Sequence, residues 1–165
     1  MGHLSWKQGV KEARMRTYLA VIDDTPEAEL ALRFAARRAA KTGGTVLVLA
    51  LIEPAEFSAW GGVQATMEEE ARQRAEGLVA GASGTLFDES GIRPSILVRQ
   101  GEPVQVIRDV LEENDAIAAL VLGAAASGSP GPLVAHFAGA DSGKLPCPVM
   151  VIPGSLSREA VDRLS

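Results

Sequence analysis

The sequence predicts an α/β fold: one doubly wound, five-stranded parallel sheet with helices on both faces. Three observations carry that expectation. From Thr17 onward, short apolar runs alternate with longer amphipathic stretches. The apolar runs, such as Val46 to Ile52, show no polar alternation, which marks strands buried on both faces of a parallel sheet. The chain has 165 residues, 47% hydrophobic and 22% charged, the size and composition of one globular domain that buries its core without disulfides or metals.

Each element follows from local signals. Thr17 to Ile22 reads as a buried strand. A helix begins at Asp24-Thr25-Pro26-Glu27, where Thr25 or Asp24 can cap the first amides and Pro26 suits the first helical position. Ala28, Ala31, Leu32, Ala35 and Ala39 recur at helical spacing, and Gly43-Gly44 stops the helix. Thr45 to Ile52 is the second strand. Glu53 to Val63 reads as a loop with Pro54, Trp60 and Gly61-Gly62. A charged helix from Thr66 to about Gly84 turns Met67, Ala71, Ala75 and Leu78 inward. Ser95 to Val98 is the third strand. Gly101-Glu102-Pro103 leads into a helix with Val104, Ile107, Val110 and Leu111 inside. Ala118 to Leu122 is the fourth strand and ends at Gly123. Pro132 to about Ala138 forms a short helix, Pro148 to Ile152 the fifth strand, and Ser157 to Leu164 a terminal helix. Right-handed crossovers join such strands.

Composition excludes several function classes. Sixteen basic against 21 acidic residues give a net charge of −5, which argues against a nucleic-acid surface. Arg33, Arg37, Arg38 and Lys41 form the densest basic cluster, and their helical spacing reads as a solvated helix face. The single cysteine, Cys147, permits no internal disulfide and reads as a packed small hydrophobe. No apolar run is long enough to span a bilayer, and Met1 to Arg16 lacks the apolar segment of a secretory signal. No membrane partner is expected, and the cytoplasm is the default compartment.

Ligands of doubly wound sheets bind beyond the carboxyl ends of the strands, where strand order reverses. That rule points to Asp23-Asp24-Thr25, to the region Ala50 to Glu53, to Gly101 and to the 123–132 loop. Gly123 lets backbone approach a ligand. Gly128 and Gly131 permit φ > 0, which can aim successive amides at one point beside Ser129. Pro132 then starts a helix whose amides favour an anion, with phosphate the expected moiety. Taken alone, the loop reads rather as a strand-to-helix connection that needs glycine to turn. Asp23 can accept hydrogen bonds from a ribose or an adenine amine; as a helix cap, Asp24 is the better candidate. Gly139 to Leu145 falls one residue short of a P-loop and lacks its Ser/Thr. Residues 126–131 lack the first glycine of a dinucleotide fingerprint. There is no GxSxG or HExxH. His3 lies in the tail, and His136 reads as surface or structural. No nucleophile–base pair and no zinc spacing occur. An acidic pair after strand one also occurs in phospho-receiver domains, but these need an aspartate ending strand three and a lysine ending strand five. Here strand three runs into Arg99-Gln100-Gly101.

These residues together resemble the universal stress protein family. Val21-Ile22-Asp23-Asp24-Thr25-Pro26-Glu27 before Ala31-Leu32-Arg33-Phe34-Ala35 is similar to the family's opening. So are Val46 to Ile52, Arg99-Gln-Gly101-Glu-Pro103, Leu120-Val-Leu-Gly123 and the closing Leu145-Pro-Cys-Pro-Val-Met-Val-Ile152. The resemblance covers roughly residues 16 to 154, leaving 1–15 as an N-terminal extension and 155–165 as a C-terminal helix or tail. It implies strand order 3-2-1-4-5, commonly a homodimer, and in many members ATP or AMP in the strand-one/strand-four crevice. There Asp23, with Asp24 and Thr25, would meet the nucleoside, backbone at Leu51 the adenine, and Leu122, Gly123, Gly128, Ser129 and Gly131 the phosphate side. No metal site is implied. The family's phosphate motif departs here: Gly123 fits its first glycine, but Ala126 stands at the second. The later glycine falls either at Gly139-Ala140 or, as we prefer, at Gly131 beside Pro132. The shorter loop makes AMP, ADP or another small anion an easier ligand than ATP. The resemblance therefore implies a nucleotide-binding regulatory module with at most weak ATP hydrolysis. The alternative is a dimerising interaction module that has lost nucleotide, joined through an exposed apolar edge of strand five.

Overall fold

The computed structural model describes residues 16–23, 25–52, 61–83 and 91–165. Asp24, the extension 1–15 with its His3, and the expected loop positions 53–60 lie outside the described residues. The sheet is built from β1 (Thr17–Ile22), β2 (Thr45–Ile52), β3 (Ser95–Gln100), β4 (Ile117–Ala124) and β5 (Val149–Pro153). All neighbouring pairs are parallel, in the order β3-β2-β1-β4-β5. The helices are α1 (Pro26–Thr42), α2 (Gly61–Ser83), α3 (Pro103–Glu113), the short α4 (Pro132–Ala135) and α5 (Arg158–Leu164). This is the doubly wound parallel sheet, in the order 3-2-1-4-5, that the sequence and its resemblance lead one to expect.

Strand β1 is buried along its whole length because it has a neighbour on each edge and a helical layer on each face. Its side chains alternate between two cores. Tyr18, Ala20 and Ile22 join Ala35, Ala39, Ala75, Val79 and Val161 beneath α1, α2 and α5. Leu19 and Val21 join Ile107, Val110, Val134 and Phe137 beneath α3 and α4. Apart from Leu32, the buried face of helix α1 is alanine (Ala28, Ala31, Ala35, Ala36 and Ala39), so it seats close to the sheet. Thr25 caps it by accepting from the Ala28 amide at 3.3 Å, and Gly43 closes it in the left-handed region, φ 69°.

Several boundaries differ from the sequence reading, β4 (Ile117–Ala124) and β5 (Val149–Pro153) by one or two residues. Helix α2 starts at Gly61, five residues before Thr66. The Gly-Gly pair that reads as a turn is its first turn. Strand β3 runs two residues further, to Gln100, because its backbone stays paired with β2 through Ile52. After Ala135 the chain widens into a π turn, His136–Ala140.

Three of the four residues in the basic cluster on α1, namely Arg33, Arg37 and Lys41, meet α5. Arg33 donates from Nε and from its terminal nitrogen to the two Asp162 oxygens of α5, each at 2.7 Å, and to the Ala82 carbonyl. Arg37 lies 3.3 Å from the same carboxylate, and Lys41 donates to the Ser165 carbonyl. The cluster is the seat of α5, which also buries Val161 completely. A partner 129 positions away leaves no trace in helical spacing.

Candidate functional site

Two adjoining cavities open beyond the carboxyl ends of β1, β2 and β4. The larger, of about 260 Å³, is lined by Val21, Asp23, Ala50 and Leu51 from the strand ends, Ala71 and Arg74 from α2, Val104 from α3 and Leu133 from α4, among others. The smaller, of about 90 Å³, lies toward β4 and is lined by Asp23, Thr25, Glu27, Leu122, Gly123, Gly131 and neighbours. Asp23 belongs to both. The larger cavity thus lies at the ends of β1 and β2, and the smaller where strand order reverses, between β1 and β4.

Of the residues singled out from sequence, the structure brings Asp23, Thr25, Leu51, Leu122, Gly123 and Gly131 to these two cavities. Gly128 and Ser129 are exposed in the loop and line neither. Asp24 lies outside the described residues. Arg74 and Glu102 line the larger cavity without having been singled out as ligand contacts. On sequence alone each is one charged residue among many on an amphipathic helix or turn.

The Asp23 carboxylate is engaged locally. Its Oδ1 accepts from the Thr25 amide at 3.0 Å and from the Thr25 hydroxyl. Asp23 thus makes the turn into α1, a role that the sequence fits better to Asp24. It still sits at the rim of both cavities.

Gly123 has a packing reason to be glycine. A Cβ there would lie 2.2 Å from the Glu27 carbonyl oxygen. The backbone that Gly123 admits is the first turn of α1. Gly131 caps α4 at φ 115°, a conformation that disfavours any side chain. Gly131 lines the smaller cavity, and Gly139 lies in the π turn beyond α4. Pro130 and Pro132 flank Gly131 and bring no N–H. The loop closes on itself through Ala125 N–H to the Pro130 carbonyl, 3.0 Å.

Glu102 caps α3 with both oxygens, accepting from Val104 at 3.1 Å and Gln105 at 2.9 Å. His136 is half-buried, with Nε2 2.9 Å from Asp141 Oδ2 and 3.1 Å from an Arg108 nitrogen. That cluster ties α3 to the segment after α4 and lies outside both cavities. Cys147 packs against the α3-side core, and burial pushes its thiol above the ordinary value, partly offset by a hydrogen bond with Leu120 backbone. Among the described residues, no three His, Cys, Asp or Glu side chains are arranged to hold a metal.

A protein-family model, that of the universal stress protein family, matches residues 15–153. Solved structures share the fold. The universal stress protein UspA from Lactobacillus plantarum gives a TM-score of 0.62 at 18% identity, covering 84% of this chain and 98% of that one. A universal stress protein from Archaeoglobus fulgidus gives 0.54 at 26% identity, covering 84% and 98%. A universal stress protein crystallised with cAMP gives 0.58 at 14% identity, covering 86% and 99%. No curated protein gives a match.

Proposed function

Because the chain belongs to the universal stress protein family, we propose that it is a regulatory module that binds an adenine nucleotide in the crevice at β1. The observation that carries this reading is the open cavity of about 260 Å³, with apolar side chains on part of its wall and the Asp23 carboxylate at its rim. Val21, Ala50, Leu51 and Val104 offer apolar surface to a flat base, and Asp23 offers an acceptor to ribose hydroxyls or an adenine amine. Thr25 shares the Asp23 rim, and Leu122, Gly123 and Gly131 wall the β4 side. A relative of the same fold was crystallised with cAMP, so the architecture accommodates a ligand of this class.

The cavity lies below the roughly 300–1,000 Å³ of sites for drug-sized ligands. The proline-flanked loop also has fewer amides than a triphosphate needs. Both favour AMP over ADP and ATP. The role is binding, with weak ATP hydrolysis at most.

Calorimetric titration and melting curves with AMP and ATP test the reading. AMP at 100 times its Kd should stabilise the fold by ~2.7 kcal/mol. Neither heat nor a melting shift with either nucleotide at millimolar concentration would refute it.

A second reading, a dimerising module without nucleotide, draws on Gly123 and the prolines. The glycine faces Glu27 backbone, and Pro130 and Pro132 bring no N–H to the loop. Strand β5 forms a sheet edge with Val151 37% exposed, a surface suited to a second copy. The open cavity favours the nucleotide reading, and a homodimer through β5 is compatible with both.

A further inference from the structure

A further cavity, of about 420 Å³, opens at the opposite end of the sheet from the crevice. Leu111 of α3, Ile117 at the start of β4, and Pro146 and Cys147 before β5 give it apolar surface, while Glu112 and Asp115 give it negative charge. No Lys or Arg is among its described lining residues. Both carboxylates are exposed. No ion pair among the described residues engages either, and the adjacent Glu113 pairs with Arg99 instead. Apolar surface beside uncompensated carboxylates suits a segment that carries both apolar and basic side chains.

Such a segment joins the fold beside it. Thr17 is paired with Ile117 and donates to the Ala116 carbonyl at 3.0 Å, so the chain that precedes β1 meets the domain next to Asp115 and Ile117. Residues 1–15 hold Lys7, Lys11 and Arg14 against one acid, Glu12, together with Leu4, Trp6 and Val10. Arg14 can lie at most about 10 Å from Thr17, and Trp6 can reach about 36 Å from it, so both have the cavity in range.

We propose that the chain's own N-terminal segment, residues 4–14, docks in this cavity. Lys11 and Arg14 meet Glu112 and Asp115, and Trp6 covers the apolar part beside Cys147. The segment thereby closes the amino end of the sheet and shields the thiol. This surface is separate from the crevice, and the proposal is independent of the nucleotide reading.

Cys147 is the chain's one cysteine, so its alkylation by iodoacetamide in the native full chain reports whether the cavity is covered. The unaltered chain is compared with Trp6→Ala, with Lys11→Glu combined with Arg14→Glu, with Glu112→Lys combined with Asp115→Lys, and with all four charge changes together. Circular dichroism confirms folding, which is expected because Glu112 and Asp115 are exposed and the other positions precede β1. Trp6→Ala and each pair of charge reversals should speed alkylation about 3- to 10-fold. The four charge changes together should return the rate to within about twofold of the unaltered chain. An unchanged rate in either Trp6→Ala or the Lys11/Arg14 reversal would overturn the proposal. So would a four-residue swap that restores no protection, because lysines beside the thiol speed alkylation by themselves. Protection that rises with protein concentration and ignores the N-terminal variants would assign the cavity to a second copy and overturn it as well.

Discussion

At Gly123 one methyl group decides whether the first turn of α1 can seat. A Cβ would meet backbone, the Glu27 carbonyl at 2.2 Å, which cannot swing aside as a side chain would. Gly123→Ala should cost about 1–3 kcal/mol, the size of overpacking, read as a lower melting temperature. Thr25 both caps α1 and holds the Asp23 carboxylate. Thr25→Ala should therefore cost about 1 kcal/mol of stability and also weaken nucleotide binding, which titration checks. Burial raises the Cys147 thiol, so its alkylation near pH 8 should be slow in the native protein and fast after denaturation. At this scale the sequence was legible where a residue type answers to local backbone. Thr25, Pro26, Gly43 and Gly131 all sit where their chemistry predicts. It was illegible where the reason lies across space. Gly123 reads as room for a ligand, and only the packing of α1 reveals what fills that room. Arg74 carries no local mark that its turn of α2 ends at a cavity.

The α1–α5 seam shows the same contrast between elements. Both helices can be read from their caps: Ser157 accepts from the Ala160 amide at 3.1 Å and starts α5 where expected. Their docking cannot, because it depends on Asp162 meeting Arg33 and Arg37. Hydrogen bonds from Arg33 hold the Asp162 carboxyl below its ordinary value of 3.8. Burial opposes this, and the charges of Arg33, Arg37 and Arg158 assist it. A carboxyl lowered on folding stabilises above its unfolded value, and that stability is lost as pH falls through the folded one. Asp162→Asn should therefore lose up to about 1 kcal/mol at pH 7. Its deficit should shrink as the pH drops below about 4, measurable by denaturation at the two pH values. The strand centres were legible as well, since their apolar runs are continuous. Boundaries failed where polar or glycine residues continue an element: Arg99 and Gln100 still pair on β3, and Gly61-Gly62 still begin α2.

For the molecule as a whole, the open edges are β3 and β5. A homodimer through β5 predicts that Val151→Lys, which puts charge on that edge, shifts the protein toward monomer in light scattering. The strand order itself has a further consequence, in how the chain is made. On the ribosome, β1, α1, β2, α2 and β3 emerge first and can assemble as half a sheet. One side of β1 then waits, since Thr17 pairs Thr45 early but Ile117 only after most of the chain exists. The crevice waits too, because α4, which walls it through Leu133, comes later still. At about 5–20 residues per second that delay lasts seconds. The proposed nucleotide therefore has no finished crevice to bind while the first half folds. Any stabilisation it gives acts once the chain is complete.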